Sequence, residues 1–152
     1  LTRYPEIQGR DDVADIYRTR EAIERAASAR IHALDPHATA DALLAVMEQM
    51  TSADDRGAVA GVNDADIAFH QTLVSHARSV RLQRFHDTLL TETRICIHAL
   101  SPTYTDYDHR IPEHLEIAQS FKRGDPILTD RLLVAHMRDA VERLTRGERT
   151  GR

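Results

Sequence analysis

Apolar residues recur along this chain at intervals of three and four, the spacing that gathers side chains into one stripe of an α-helix. Val13, Ile16, Tyr17, Ile23, Ala27, Ile31 and Leu34 define a first long helix, with Asp11 or Asp12 placed to cap it and Asp35-Pro36 to end it. A second helix is predicted from about Pro36 to Met50, buried through Leu43, Val46, Met47 and Met50, with a loop over TSADDRGAVAG after it. Asn63 or Asp64 is expected to cap a third helix that reaches about Ala77. Ser79 is expected to cap a fourth, running past Leu89, Ile95 and Ile97 until Ser101-Pro102 stops it. Beyond the connector PTYTDYDHR, a fifth helix starts near Ile111-Pro112, carries Leu115, Ala118 and Phe121, and stops at Gly124, which suits a left-handed C-cap. Asp125-Pro126 opens a sixth, buried through Leu132, Leu133, Met137, Val141 and Leu144. No segment alternates with a period of two between hairpin turns, and no internal repeat is visible. The pattern predicts an all-α fold, an antiparallel bundle of about six helices.

Composition narrows the picture. A chain of 152 residues with 41% hydrophobic residues suits one domain with one core. That domain is expected over residues 11–147, with residues 1–10 as a polar connector and 148–152 as a polar tail. The formal charge is −4, and acids and bases are interspersed, whereas a phosphate-gripping domain shows a basic excess or stripe. Nucleic-acid binding by this chain alone is not expected. The single cysteine, Cys96, has no intrachain partner and reads as a small buried side chain. No apolar run approaches the ~18 residues of a membrane span, and no signal pattern opens the chain, so a cytoplasmic location with no membrane contact is expected.

Chemistry enters where polar residues interrupt the apolar stripes. Asp66 and His70 are four apart on a face shared with Val62, Phe69 and Leu73, so a carboxylate and an imidazole point at the core. His114 lies on the line of Ile111, Ala118 and Phe121, and His136 on that of Leu132, Leu133, Ala140 and Leu144. Each taken alone reads as a hydrogen-bonded core residue. Together they suggest one divalent metal ion, because a cation held by three neutral imidazoles and a carboxylate satisfies four groups that are otherwise costly to bury. Zinc is the first expectation, with nickel, manganese or iron also suited to these donors. Arg20 falls on the first helix's apolar stripe, where a guanidinium needs a partner: an internal acid, or a bound carboxylate held through two parallel hydrogen bonds. Arg94 is a second candidate for such contact. His76, His86, His98 and His109 have no convincing spacing to a partner and read as surface or helix-packing residues.

These residues occur in an order that resembles the FCD ligand-binding domain, the C-terminal effector domain of the FadR branch of GntR-type bacterial transcription regulators. DIYRTREAIERAAS is similar to the family's first helix, DADIAFHQTLV to its Asp/His segment, EHLEIAQSFKRGD to its fifth helix and LLVAHMRDAVERL to its last. The resemblance implies that Asp66, His70, His114 and His136 are metal ligands around a central cavity, and that Arg20 contacts the effector. It implies a small organic acid as effector, a homodimer, and DNA binding through an N-terminal winged-helix domain that is absent from this chain. It implies no catalytic residue. The readings from other classes are a metal-dependent enzyme acting on a small carboxylate and a metal-free helical interaction module.

Overall fold

A computed structural model describes residues 9–100 and 109–146. The chain folds into six helices: α1 (Arg10–Leu34), α2 (Pro36–Asp55), α3 (Val59–Ser75), α4 (Val80–Leu100), α5 (Arg110–Lys122) and α6 (Pro126–Thr145). Among the described residues there is no strand. The predicted stop at Ser101-Pro102, most of the connector PTYTDYDHR and the polar tail 148–152 lie outside the described residues.

Several boundaries fall at the predicted caps. Asp35 ends α1 and caps α2, its carboxylate accepting from the Ala38 N–H at 3.0 Å, with Pro36 in the first helical position where no N–H is needed. Asp125 and Pro126 repeat the device for α6, with the Leu128 N–H donating at 3.0 Å. The Ser79 hydroxyl accepts from the Leu82 N–H at the start of α4. Gly124 has φ +62°, and its N–H and that of Asp125 close the last turn of α5 on the Phe121 and Ser120 carbonyls. At α1 the cap is Gly9. Asp11 and Asp12 sit inside the first turn, where they face the positive end of the helix dipole.

The predicted loop over residues 51–61 is mostly helical. α2 continues to Asp55 and α3 begins at Val59, ahead of Asn63 and Asp64, leaving only Arg56-Gly57-Ala58 between them. Burial overrides weak local propensity here: Ala53 and Val62 both belong to the core, so each helix is held past the point where its sequence alone would keep it. Gly61 permits the tight corner, since a Cβ there would lie 3.0 Å from that of Ala53.

α2 packs chiefly on α3 and α5, and α1 chiefly on α6 and α4. Two apolar clusters result. The larger includes Ile31, Leu43, Met47, Met50, Phe69, Leu73, Phe121 and Leu133. The smaller holds Val13, Ile16, Tyr17, Met137 and Leu144 together with the buried free thiol of Cys96. Leu34 and Ile95, both stripe residues by sequence, are exposed. Arg20 and Glu24 on α1 lie between the two clusters along that helix, and so does His136 on α6. The polar groups therefore collect at the seam.

Candidate metal centre

α3 supplies Asp66 and His70, α5 supplies His114, and α6 supplies His136. One ligand atom from each comes within 4.8 Å of all the others. His114 Nε2 is 2.9 Å from Asp66 Oδ1 and 3.3 Å from His70 Nε2, while His136 Nε2 is 3.2 Å from His70 Nε2. His70 Nε2 also lies 3.4 Å from Asp66 Oδ1. The four sequence-predicted residues thus meet, and they do so through the ring atoms that face the interior.

The opposite nitrogen of every ring meets an acceptor. His70 Nδ1 is 2.5 Å from Glu24 Oε1, His114 Nδ1 is 2.6 Å from the Arg110 carbonyl, and His136 Nδ1 is 3.1 Å from Glu113 Oε2. These partners place the proton on Nδ1 in all three neutral rings, so each Nε2 presents its lone pair inward. In that tautomer three nitrogen lone pairs and a carboxylate oxygen gather within 4.8 Å of one another, four of the pairs at 2.9–3.4 Å. That arrangement is repulsive when empty and favourable around a cation. The spacing also fits: bonds of ~2.0–2.1 Å at tetrahedral or octahedral angles put neighbouring donor atoms ~2.9–3.4 Å apart. The residues present therefore suit a divalent metal, with donors acceptable to several first-row ions.

The surroundings hold Asp66 ionised and His136 neutral, as a metal needs, but favour the charged form of His70. Burial pushes the Asp66 carboxyl up, but His114, His70 and Arg110 outweigh it and hold it well below the usual carboxylate range. Burial, with repulsion from the other two imidazoles, lowers His136 to about 4 despite its bond to Glu113. For His70, burial works against the charged form but Glu24 outweighs it, and the net direction is upward. A metal ion would displace that proton, so binding should strengthen as pH rises.

Glu24 and Glu113 orient two of the ligands, and the sequence reading missed both. Glu24 is completely buried, on the same stripe as Arg20 and four residues later. That i, i+4 acid–base pair on an apolar face was the available signal. Glu113 receives His136 and is clamped by both guanidinium nitrogens of Arg143 on α6. Its only sequence signal was adjacency to His114.

A cavity of about 20 Å³ lies beside the cluster, lined in part by Tyr17, Arg20, Thr93, Ile97, Arg110 and Arg143. Arg20 is 2% exposed; its Nε donates to Glu24 Oε2 at 3.2 Å and its Nη1 to the Thr93 hydroxyl at 3.4 Å. Arg20 thus has an internal acid as its partner, and it also borders the cavity. Arg94 is elsewhere. It lies on the outer face of α4, more than half exposed and ion-paired with Asp64 at 2.6 Å. The arginine brought beside the cluster instead is Arg110, buried, bonded to Asn63 at 2.7 Å and 3.5 Å from Asp66 Oδ2. Of the remaining histidines, His98 and His109 are exposed and His76 half-buried, whereas His86 is buried against Glu24.

Among the described residues no helix is long and apolar enough to cross a membrane. No curated protein matches the chain. A crystal structure from Rhodococcus sp. RHA1, described as a transcriptional regulator GntR, has the same fold, with a TM-score of 0.77 at 22% sequence identity over 95% of this chain and 70% of that one. The FCD domain model matches residues 15–139, a span that contains Arg20, Glu24 and all four converging residues. The chain belongs to the FCD family, the effector domains of GntR-type transcription regulators.

Proposed function

We propose that this domain, residues 11–147, senses a small organic acid through a divalent metal ion held by Asp66, His70, His114 and His136. The observation that carries the reading is the convergence of three inward lone pairs and one carboxylate oxygen beside a cavity bordered by Arg20. The metal, with zinc the first candidate, supplies a Lewis-acidic point at which an acid's oxygens can bind. Arg20 supplies hydrogen bonds to a carboxylate in the same space. Arg110, rather than the outward Arg94, is the second guanidinium close enough to contribute. The cavity has room for only one or two water molecules, so an acid enters by displacing water and moving side chains. An acid that favours the opened arrangement shifts the domain towards it. In a homodimeric regulator, with residues 1–10 connecting to a winged-helix domain, that shift alters how two DNA-reading units are placed. The role is regulatory rather than catalytic.

The test is metal analysis of protein purified without chelators, followed by thermal melts with Zn²⁺, Co²⁺ or Mn²⁺ and a panel of glycolate, lactate, malate and gluconate. Stoichiometric metal and a further rise in melting temperature with at least one acid are expected. A ligand at a hundred times its dissociation constant stabilises the native state by about 2.7 kcal/mol, and Asp66→Ala or His114→Ala should abolish the metal-dependent part. Absence of metal, together with no response to added ions, overturns the reading in favour of a metal-free module. Turnover of any panel acid overturns it in favour of an enzyme.

A further inference from the structure

His86 is buried at 1% exposure on α4, a helix that gives the metal cluster no ligand. Its Nε2 lies 3.3 Å from Glu24 Oε2, close enough to help hold that carboxylate ionised but without full hydrogen-bond geometry. The same oxygen is held by Arg20, through Nε at 3.2 Å and with Nη2 at the same distance. The other oxygen of Glu24 takes His70 Nδ1. Two buried donors thus compete for one carboxylate oxygen, and one of them, Arg20, also borders the cavity.

We propose that His86 is a positioning residue that holds Glu24 when Arg20 turns toward a bound acid. The inference rests on the acid-binding reading above. A carboxylate in the cavity draws the Arg20 guanidinium away from Glu24, and an ionised carboxylate left short of donors in a dry interior is costly. A small movement of His86 converts its 3.3 Å approach into a hydrogen bond on Oε2. Glu24 then stays paired, keeps its other oxygen on His70, and leaves the metal ligand oriented as before. Arg20 is released to the acid without disturbing the metal.

The experiment compares His86→Leu, which removes the donor at similar volume, with His86→Gln, whose amide nitrogen reaches the Nε2 position. Three readouts are taken on the 152-residue chain: Co²⁺ affinity with its visible absorption spectrum, affinity of Co²⁺-loaded protein for glycolate, lactate, malate and gluconate, and apo melting temperature. The Leu variant should keep the Co²⁺ spectrum and bind Co²⁺ within about twofold of wild type, while losing about tenfold in affinity for whichever panel acid wild type binds, the loss of one hydrogen bond to a charged group. The Gln variant should recover most of that loss. Wild-type acid affinity in the Leu variant, or an equal loss of Co²⁺ and acid affinity, overturns the role assigned to His86. Failure of wild type to bind any panel acid overturns the acid-binding reading itself and is distinguishable. If the Leu variant does not fold, His86→Asn replaces it, since its shorter amide reaches only the Nδ1 position.

Discussion

The two halves of this core are equally dry but are held by different forces. Around α2, side chains such as Leu43, Met50, Phe69 and Phe121 have no exposure at all and carry no polar atom that needs a partner. At the seam between the two apolar clusters, Glu24 and His114 are just as buried, yet each is fixed by named donors and acceptors. Burial in the first region rewards volume and shape. In the second it imposes pairing, because an ionised group without partners there would be neutralised or would unfold the site. The consequence is a division of labour: the apolar half supplies stability and tolerates exchange, while the polar seam spends some of that stability on orientation.

Four measurements bear on this contrast. The largest effect is expected for Glu24→Leu, which keeps the volume but removes the carboxylate shared by Arg20, His70 and His86. Breaking a buried pair from one side costs about 3–5 kcal/mol, read by urea denaturation of metal-free protein. A loss below about 1 kcal/mol would mean that the seam behaves like the rest of the core.

The next concerns pH. The His136 imidazole is lowered from 6.5 to about 4, so below pH 6.5 the unfolded chain takes up this proton before the folded one does. The associated stability is fully present above pH 6.5 and is lost as pH falls towards 4, amounting to about 3 kcal/mol at most. Metal-free protein should show this limb in pH-dependent denaturation, and His136→Asn should flatten it. An unchanged limb in the variant would assign it to other groups.

In the apolar half, Leu43→Met also conserves volume, and there the loss should stay below about 1.5 kcal/mol with metal binding unchanged. A loss as large as that of Glu24→Leu would erase the distinction between the regions. The smallest effect is chemical. Burial is the main cause that raises the Cys96 thiol to about 11, and the side chain has no exposure, so alkylation at pH 8 should proceed only as fast as the protein opens. Rapid labelling of native protein would place Cys96 outside the core.

Much of this was readable from residues in order. The caps at Asp35-Pro36, Ser79 and Asp125-Pro126 act through neighbours three residues away, so local sequence specifies them. The stretch from Thr51 to Gly61 looks like a loop by composition, and its helicity depends on Ala53 and Val62 being buried, a non-local effect. Arg94 and Thr93 show the same limit at the site. They are one residue apart, and a rotation of about 100° between successive helical positions sends Thr93 to the cavity wall and Arg94 to the surface. His86 was read as a packing or surface residue, since its partner Glu24 is 62 positions earlier (86 − 24) and only folding joins them.

The sequence by itself determined the six helices, the apolar stripes and the presence of Asp66, His70, His114 and His136 on inward faces, because periodicity and capping are properties of neighbouring residues. Its resemblance to a known family named the rest of the expectation. Only the tertiary structure decided that the four inward groups share one point, which ring nitrogens face it, and that Glu24, Glu113 and the Arg110 carbonyl set those rings. Those outcomes depend on how helices distant in sequence cross, and on hydrogen bonds whose two ends no local pattern connects.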